Sequence, residues 1–151
     1  MNINIDIILL ELGKCIPDYG NIEQISIQGV KDVDDPFYGT GRIGKLNHKE
    51  KEFVKPNFDM TYTNKVIEEL GMYRVRLMNM SPKTCYTYHR DYTKRIHIPL
   101  ITNDDCFFVI DDEILRIPAN GNHYLIDTTR KHTFVNASLE NRIHLIGCVD
   151  T

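Results

Sequence analysis

The chain has no tryptophan, no closely spaced cysteine pair, no long apolar run and no surplus of charge of one sign. With 18 Lys and Arg against 21 Asp and Glu, its formal net charge of -3 creates no global basic field, so nucleic acid is not an expected partner. Cys15, Cys85, Cys106 and Cys148 lie far apart and form no CxxC, which argues against both a disulfide framework and a thiolate zinc site. A reducing, cytoplasmic setting fits that pattern best. The opening MNINIDIILLELGK lacks a basic leader and sets Asp6 and Glu11 close to its apolar residues, and no run approaches about 18 apolar residues. Neither export nor a membrane anchor is expected.

What is present is a chain of 151 residues, long enough for one domain with a sizeable core and too short for two. From Arg74 onward it reads as short apolar stretches separated by turn residues: RVRLMNM, CYTYH, RIHIPLI, CFFVI, EILRI, HYLID, HTFVN and RIHLIGCV. Asp111-Asp112 marks a tight hairpin and Asn120-Gly121-Asn122 another turn. Short antiparallel strands without intervening helices predict a mainly β sandwich or barrel, and their number is that of a jelly roll. Residues 1–73 read differently, as an N-terminal extension and loop before a core over 74–149. Ile5, Ile8, Leu9 and Leu12 share one helical face, Ile25 to Val30 alternates like a strand, and TNKVIEEL before Gly71 reads as a short helix with a glycine cap. Between them DVDDPFYGTGRIGKLNHKEKEFVKPNF, rich in Gly, Pro and charge, reads as a long surface loop that bears on function.

Two motif matches in that loop do not survive their context. Gly39-Thr40-Gly41-Arg42-Ile43-Gly44 spells GxGxxG, but it follows Asp34-Asp35-Pro36 rather than a buried strand and precedes a charged run rather than a helix. Gly44-Lys45 approaches a P-loop, yet Leu46 stands where Ser or Thr must reach magnesium. His48-Lys49-Glu50 is one of two histidine-acid pairs, and its polar surroundings predict a solvated face.

The other pair, His89-Arg90-Asp91, ends a strand. Side chains at i and i+2 project to the same side, so His89 and Asp91 can share one ion. His132, opening a later strand, is the natural third ligand. Two histidines and one carboxylate leave coordination positions open and suit non-haem Fe(II) in oxygenases, whereas a closed zinc site wants a fourth protein ligand. In RIHLIGCV, alternation sets Arg142, His144 and Ile146 on one side. A guanidinium across a pocket binds a carboxylate in two-pronged fashion, which fits Arg142 to the far end of a dicarboxylate. Arg95 and His97 share the pocket side of their own strand. His123 and His144 read as hydrogen-bonded structural residues, and Lys94, Arg130 and Lys131 as solvated or at the mouth.

Four pieces in order, PKTCYTYHRD, RIHIPL, YLIDTTRKH and NRIHLI, resemble the aspartyl/asparaginyl beta-hydroxylase family of Fe(II)/2-oxoglutarate dioxygenases, especially its bacterial free L-proline cis-4-hydroxylases. The likeness runs from about Arg74 to Val149. It implies a double-stranded beta-helix (cupin-like jelly roll), iron on His89, Asp91 and His132, and 2-oxoglutarate on Arg142 with help from Arg95 and His97. It further implies that O2 and 2-oxoglutarate are consumed to hydroxylate an amino acid, free (such as proline) or as an Asp, Asn or Pro residue of a peptide or protein. A non-catalytic cupin-like module that binds metal or a carboxylate is the alternative, since a fold does not fix function. Oxygen-independent metal chemistry is a third.

Overall fold

The computed structural model describes residues 1–150. Helix α1 (Ile5–Cys15) starts where the Asn4 side chain accepts a hydrogen bond from the Ile7 amide, with Asp6 in its first turn and Lys14 in its last, each matching the helix dipole. Ile8 and Leu12 are fully buried, as their four-residue spacing predicts. Helix α2 (Thr61–Glu69) ends at Gly71, whose φ of 65° is the left-handed conformation a glycine adopts without strain.

The remaining chain forms β1 (Gln24–Ser26), β2 (Gln28–Gly29), β3 (Lys55–Pro56), β4 (Tyr73–Met80), β5 (Thr84–Cys85), β6 (Lys94–Ile101), β7 (Cys106–Ile110), β8 (Glu113–Leu115), β9 (Tyr124–Ile126), β10 (His132–Asn136) and β11 (Arg142–Val149). They build a five-stranded sheet in the order β1-β4-β11-β6-β9, a four-stranded sheet β5-β10-β7-β8 and a small β2-β3 ribbon. Every pairing is antiparallel. The fold is a cupin-like jelly roll with two N-terminal helices. Each stretch expected from Arg74 onward contains a strand, although CYTYH pairs only at Cys85 and again at an isolated His89 to His132 bridge.

Alternation along the central strands divides the large sheet into two chemically different faces. Val75 and Leu77 of β4, Ile96, Ile98 and Leu100 of β6, and Ile143, Leu145 and Val149 of β11 pack with Ile8, Leu12, Val66 and Ile67 of the helices. Burying each such side chain contributes about 1.5–3 kcal/mol. The opposite face turns toward the smaller sheet. There Phe108 and Phe134 pack with Met80 and Ile110, and Arg74, Arg76, Arg95, His97 and Arg142 supply a basic lining alongside Met78 and Ile146.

Residues 1–73 are part of this architecture. The stretch Ile25 to Val30 is buried at every position and breaks into two strands at Ile27, whose amide donates to the Val75 carbonyl at 2.9 Å. The long loop is pinned by Phe53, fully buried and stacked on Tyr38 with ring centres 6.0 Å apart. Gly39, at φ 93°, makes room for that ring, since a Cβ there would stand 2.2 Å from Phe53 Cε1. Residues 39–44 open no helix, in keeping with the rejection of a nucleotide loop. All four cysteines are free, and among the described residues no helix is long and apolar enough to cross a membrane.

Candidate metal centre

The isolated bridge between His89 and His132 brings two distant parts of the sequence into register. The His89 amide donates to the His132 carbonyl at 2.9 Å and the reverse bond is 2.8 Å. The Asp91 amide is then anchored on the Thr128 carbonyl at 2.8 Å. With the backbone so held, one donor atom from each of His89, Asp91 and His132 lies within 4.8 Å of the others. Asp91 Oδ1 is 3.4 Å from His89 Nε2, and Oδ2 is 3.7 Å from His132 Nε2.

Both imidazoles are oriented by their second nitrogen. His89 Nδ1 meets the Thr87 carbonyl at 2.6 Å, and His132 Nδ1 meets the Arg130 carbonyl at 2.8 Å. A carbonyl only accepts, so each Nδ1 donates to it and each Nε2, turned toward Asp91, is the nitrogen placed to ligate an ion. This is the arrangement of metal-binding histidines, whose outer nitrogen is usually fixed by a backbone carbonyl or carboxylate. The donor set, two neutral imidazoles and a carboxylate, fits a divalent first-row ion with open positions. His132 is buried, while the side chains of His89 and Asp91 keep 36% and 24% of their exposure, which leaves a solvent-facing side.

The three groups border a cleft of about 1430 Å³ between the sheets. The cleft is lined by the inward residues of three neighbouring strands: Arg74 and Arg76 from β4, Arg95 and His97 from β6, and Arg142 and Ile146 from β11. Arg142 is 1% exposed and its guanidinium lies 4.3 Å over the Phe134 ring, yet none of its three nitrogens has a hydrogen-bond partner. Burial lowers its pKa, partly offset by Tyr86 and Cys106. Leaving such donors unsatisfied in a low-dielectric interior is costly, and an anion entering from solvent could satisfy them.

His97 and His144 are fully enclosed, with their Nδ1 atoms 3.1 Å apart. Burial and the neighbouring Arg142 push both pKa values well below the ordinary histidine value, with Arg95 also acting on His97. The pair is therefore neutral, with one Nδ1 donating to the other. His144 is the core residue expected. Arg95, His97 and Arg142 all face the cleft as their alternation predicts.

Glu50, Arg74 and Arg76 were not singled out for the site from the sequence. Arg74 and Arg76 were legible in RVRLMNM by the same alternation, although Arg74 reaches the interior through a β-bulge. Between Ile146 and Cys148 of β11 the register on β4 moves from Arg76 to Tyr73, and Arg74 takes φ 50°. Burial first, then the charges of Arg74 and Arg95, pull the Arg76 pKa down to about 9. Glu50 comes from the loop and gave no periodic signal. Nor does its neighbour His48 present the solvated face expected: its Nδ1 is 2.6 Å from the Tyr38 hydroxyl and its ring packs edge-on to Phe53. The segment before Phe53 is drawn against the sheet by that ring, which leaves His48 half-buried.

A model of the family described as aspartyl/asparaginyl beta-hydroxylase matches residues 40–150. The chain belongs to this family. The family match begins well before Arg74 and so takes in the loop that carries Glu50, extending the likeness read from the sequence motifs. Solved structures with a similar outline include a predicted oxalate decarboxylase from Thermotoga maritima (16% identity, 58% of this chain and 74% of that one, TM-score 0.44). A salicylate 1,2-dioxygenase from Pseudaminobacter salicylatoxidans matches at 14% identity over 51% of this chain and 21% of that one, TM-score 0.43. A Cupin 2 conserved barrel domain protein from Salinispora arenicola matches at 17% identity over 51% of this chain, which spans 62% of the length of that one, TM-score 0.42. They share an outline with this chain and carry no information about its chemistry. No curated protein matches significantly.

Proposed function

We propose that this member of the hydroxylase family is an Fe(II)- and 2-oxoglutarate-dependent dioxygenase that hydroxylates an amino acid, free or within a peptide. The observation that carries the reading is the pairing of two unlike features across one cleft: a two-histidine, one-carboxylate cluster within 4.8 Å, and a buried arginine with three unpartnered nitrogens. A metal alone needs only the first. A dicarboxylate that chelates the metal at one end and ends in a second carboxylate uses both.

In this reading His89, Asp91 and His132 hold the ion, and it supplies the redox chemistry that couples oxidative decarboxylation of 2-oxoglutarate to insertion of one oxygen atom into a substrate C–H bond. The products are succinate, carbon dioxide and the alcohol, which balances one O2. The Thr87 and Arg130 carbonyls fix both imidazole tautomers so that neither ligand must reorient during turnover. Arg142 takes the far carboxylate of the cosubstrate by a two-pronged contact, and Phe108 and Phe134 keep that end dry. His97, neutral because of its burial and cationic neighbours, can bond a carboxylate oxygen without adding charge. Arg95 NH1, which has no hydrogen-bond partner, can bond a carboxylate oxygen as a cation. What the chain contributes is position and exclusion of water.

The test is succinate release from 2-oxoglutarate by the purified chain, in the presence of single amino acids or Asp-, Asn- and Pro-containing peptides. Release that needs both ferrous iron and air supports the proposal. Metal binding without succinate under any condition marks a non-catalytic binding module instead.

A further inference from the structure

Glu50 is a carboxylate delivered into a basic interior by a loop. It sits in a short 3-10 turn (Glu50–Glu52), and its Oε2 lies 2.7 Å from Arg74 NH1, 3.3 Å from Arg95 NH2 and 3.1 Å from Cys148 Sγ, while Oε1 accepts from Thr93 Oγ1 at 3.2 Å. Burial raises its pKa, but Arg95, the Cys148 thiol and Arg74 together bring it below the ordinary glutamate value. It is therefore an anion at neutral pH, bridging the guanidiniums of Arg74 and Arg95.

The partner it shares is informative. Arg95 has two carboxylates in reach: Glu50 at NH2, and Asp91, whose Oδ2 is 3.7 Å from Arg95 Nε. That second distance is less than about 1 Å beyond a charge-assisted hydrogen bond. Asp91 Oδ2 is also 3.7 Å from His132 Nε2. Asp91 thus stands between an arginine that would clamp it and the two histidines it must join to hold an ion. Remove the charge of Glu50 and Arg95 has one carboxylate left to neutralise it. The preferred geometry of that pair is a two-pronged bridge through Nε and NH2, which would draw Asp91 off the histidines. It would also leave an uncompensated cation beside the site for a dication.

We propose that Glu50 is a positioning residue for the metal centre: by neutralising Arg95 from the loop side, it keeps the Asp91 carboxylate available to the ion. The inference rests on the reading of His89, Asp91 and His132 as a metal site. It gives the loop over residues 40–53 a defined task, since a carboxylate on that segment sets the posture of an arginine on β6 and, through it, of a ligand at the other side of the cleft.

The experiment titrates Co(II) alone, without 2-oxoglutarate, into the whole chain and follows its visible absorption. Wild type, Glu50→Gln, Arg95→Gln and the double variant are compared, with circular dichroism as a check of folding. Glu50→Gln should weaken Co(II) by about tenfold or more, the scale found when partners behind metal ligands are removed. Adding Arg95→Gln should then restore affinity to within about threefold of wild type, because the competing arginine is gone. A purely structural role for Glu50 predicts the reverse, a second loss on top of the first. Unchanged Co(II) affinity in Glu50→Gln, or additive losses in the double variant, overturns the proposal while leaving the metal reading intact. Absence of Co(II) binding by the wild type overturns both.

Discussion

At the scale of single residues, Arg142 stands out, because its buried guanidinium has three unpaired nitrogens and only the Phe134 ring and the partial effect of Tyr86 and Cys106 to offset its burial. Arg142→Ala should weaken 2-oxoglutarate by about 100-fold, the usual cost of truncating one side of a buried charge pair, while leaving Co(II) affinity unchanged. Calorimetric titration of the cobalt-loaded variant checks this; equal 2-oxoglutarate affinity contradicts the assignment. His97 and His144 give a pH signature of their own. Their folded pKa values lie well below the unfolded value of about 6.5, so on unfolding below that pH each takes up a proton. The unfolded state then binds more protons, and stability falls as pH drops. The urea midpoint of the metal-free chain should decrease from pH 7.5 to 5.5; a flat profile would show that the pair is not held neutral. Arg142 faces the cleft because alternation along β11 fixes direction as well as burial. His89, Asp91 and His132 were legible by residue type and family likeness instead, since Asp91 lies in no strand and His89 pairs only through an isolated bridge. Glu50 was not, because a loop residue's direction depends on what Phe53 and Gly39 do to the backbone around it.

Among the elements, helix α2 depends on a neighbour for its start. Its N-cap position is Met60, which offers no acceptor. The carboxylate of Glu11, from α1, instead accepts from the Tyr62 amide at 2.9 Å and from the Thr63 amide and hydroxyl at 2.8 and 2.7 Å. Burial opposes its charge, but those three bonds and Lys14 lower its pKa on balance. Glu11→Ala should cost about 1 kcal/mol, as loss of a cap does, and lower Tm by about 2–4 °C. A Tm equal to wild type would mean that water replaces the cap without loss. The strands of the core were readable as elements because apolar residues recur at period two between turn residues such as Asp111, whose φ of 52° is that of a tight turn. The break between β1 and β2 was not readable. Ile25 to Val30 is buried on both sides, and a stretch without an exposed face has no periodicity to report where it changes partner.

For the molecule as a whole, one large sheet serves two purposes, with its apolar face covered by helices and its basic face closed over by the smaller sheet. That division follows from alternation on β4, β6 and β11, and it leaves His89, Asp91 and His132 at the rim of a cavity rather than in a solid core. The measurement that bears most directly on this account is anaerobic Fe(II) stoichiometry of the purified chain by equilibrium dialysis, beside His132→Ala with its fold confirmed by circular dichroism. The account predicts one ferrous ion per wild-type chain and none on the variant. No iron on the wild type, or the same stoichiometry in both proteins, would contradict it.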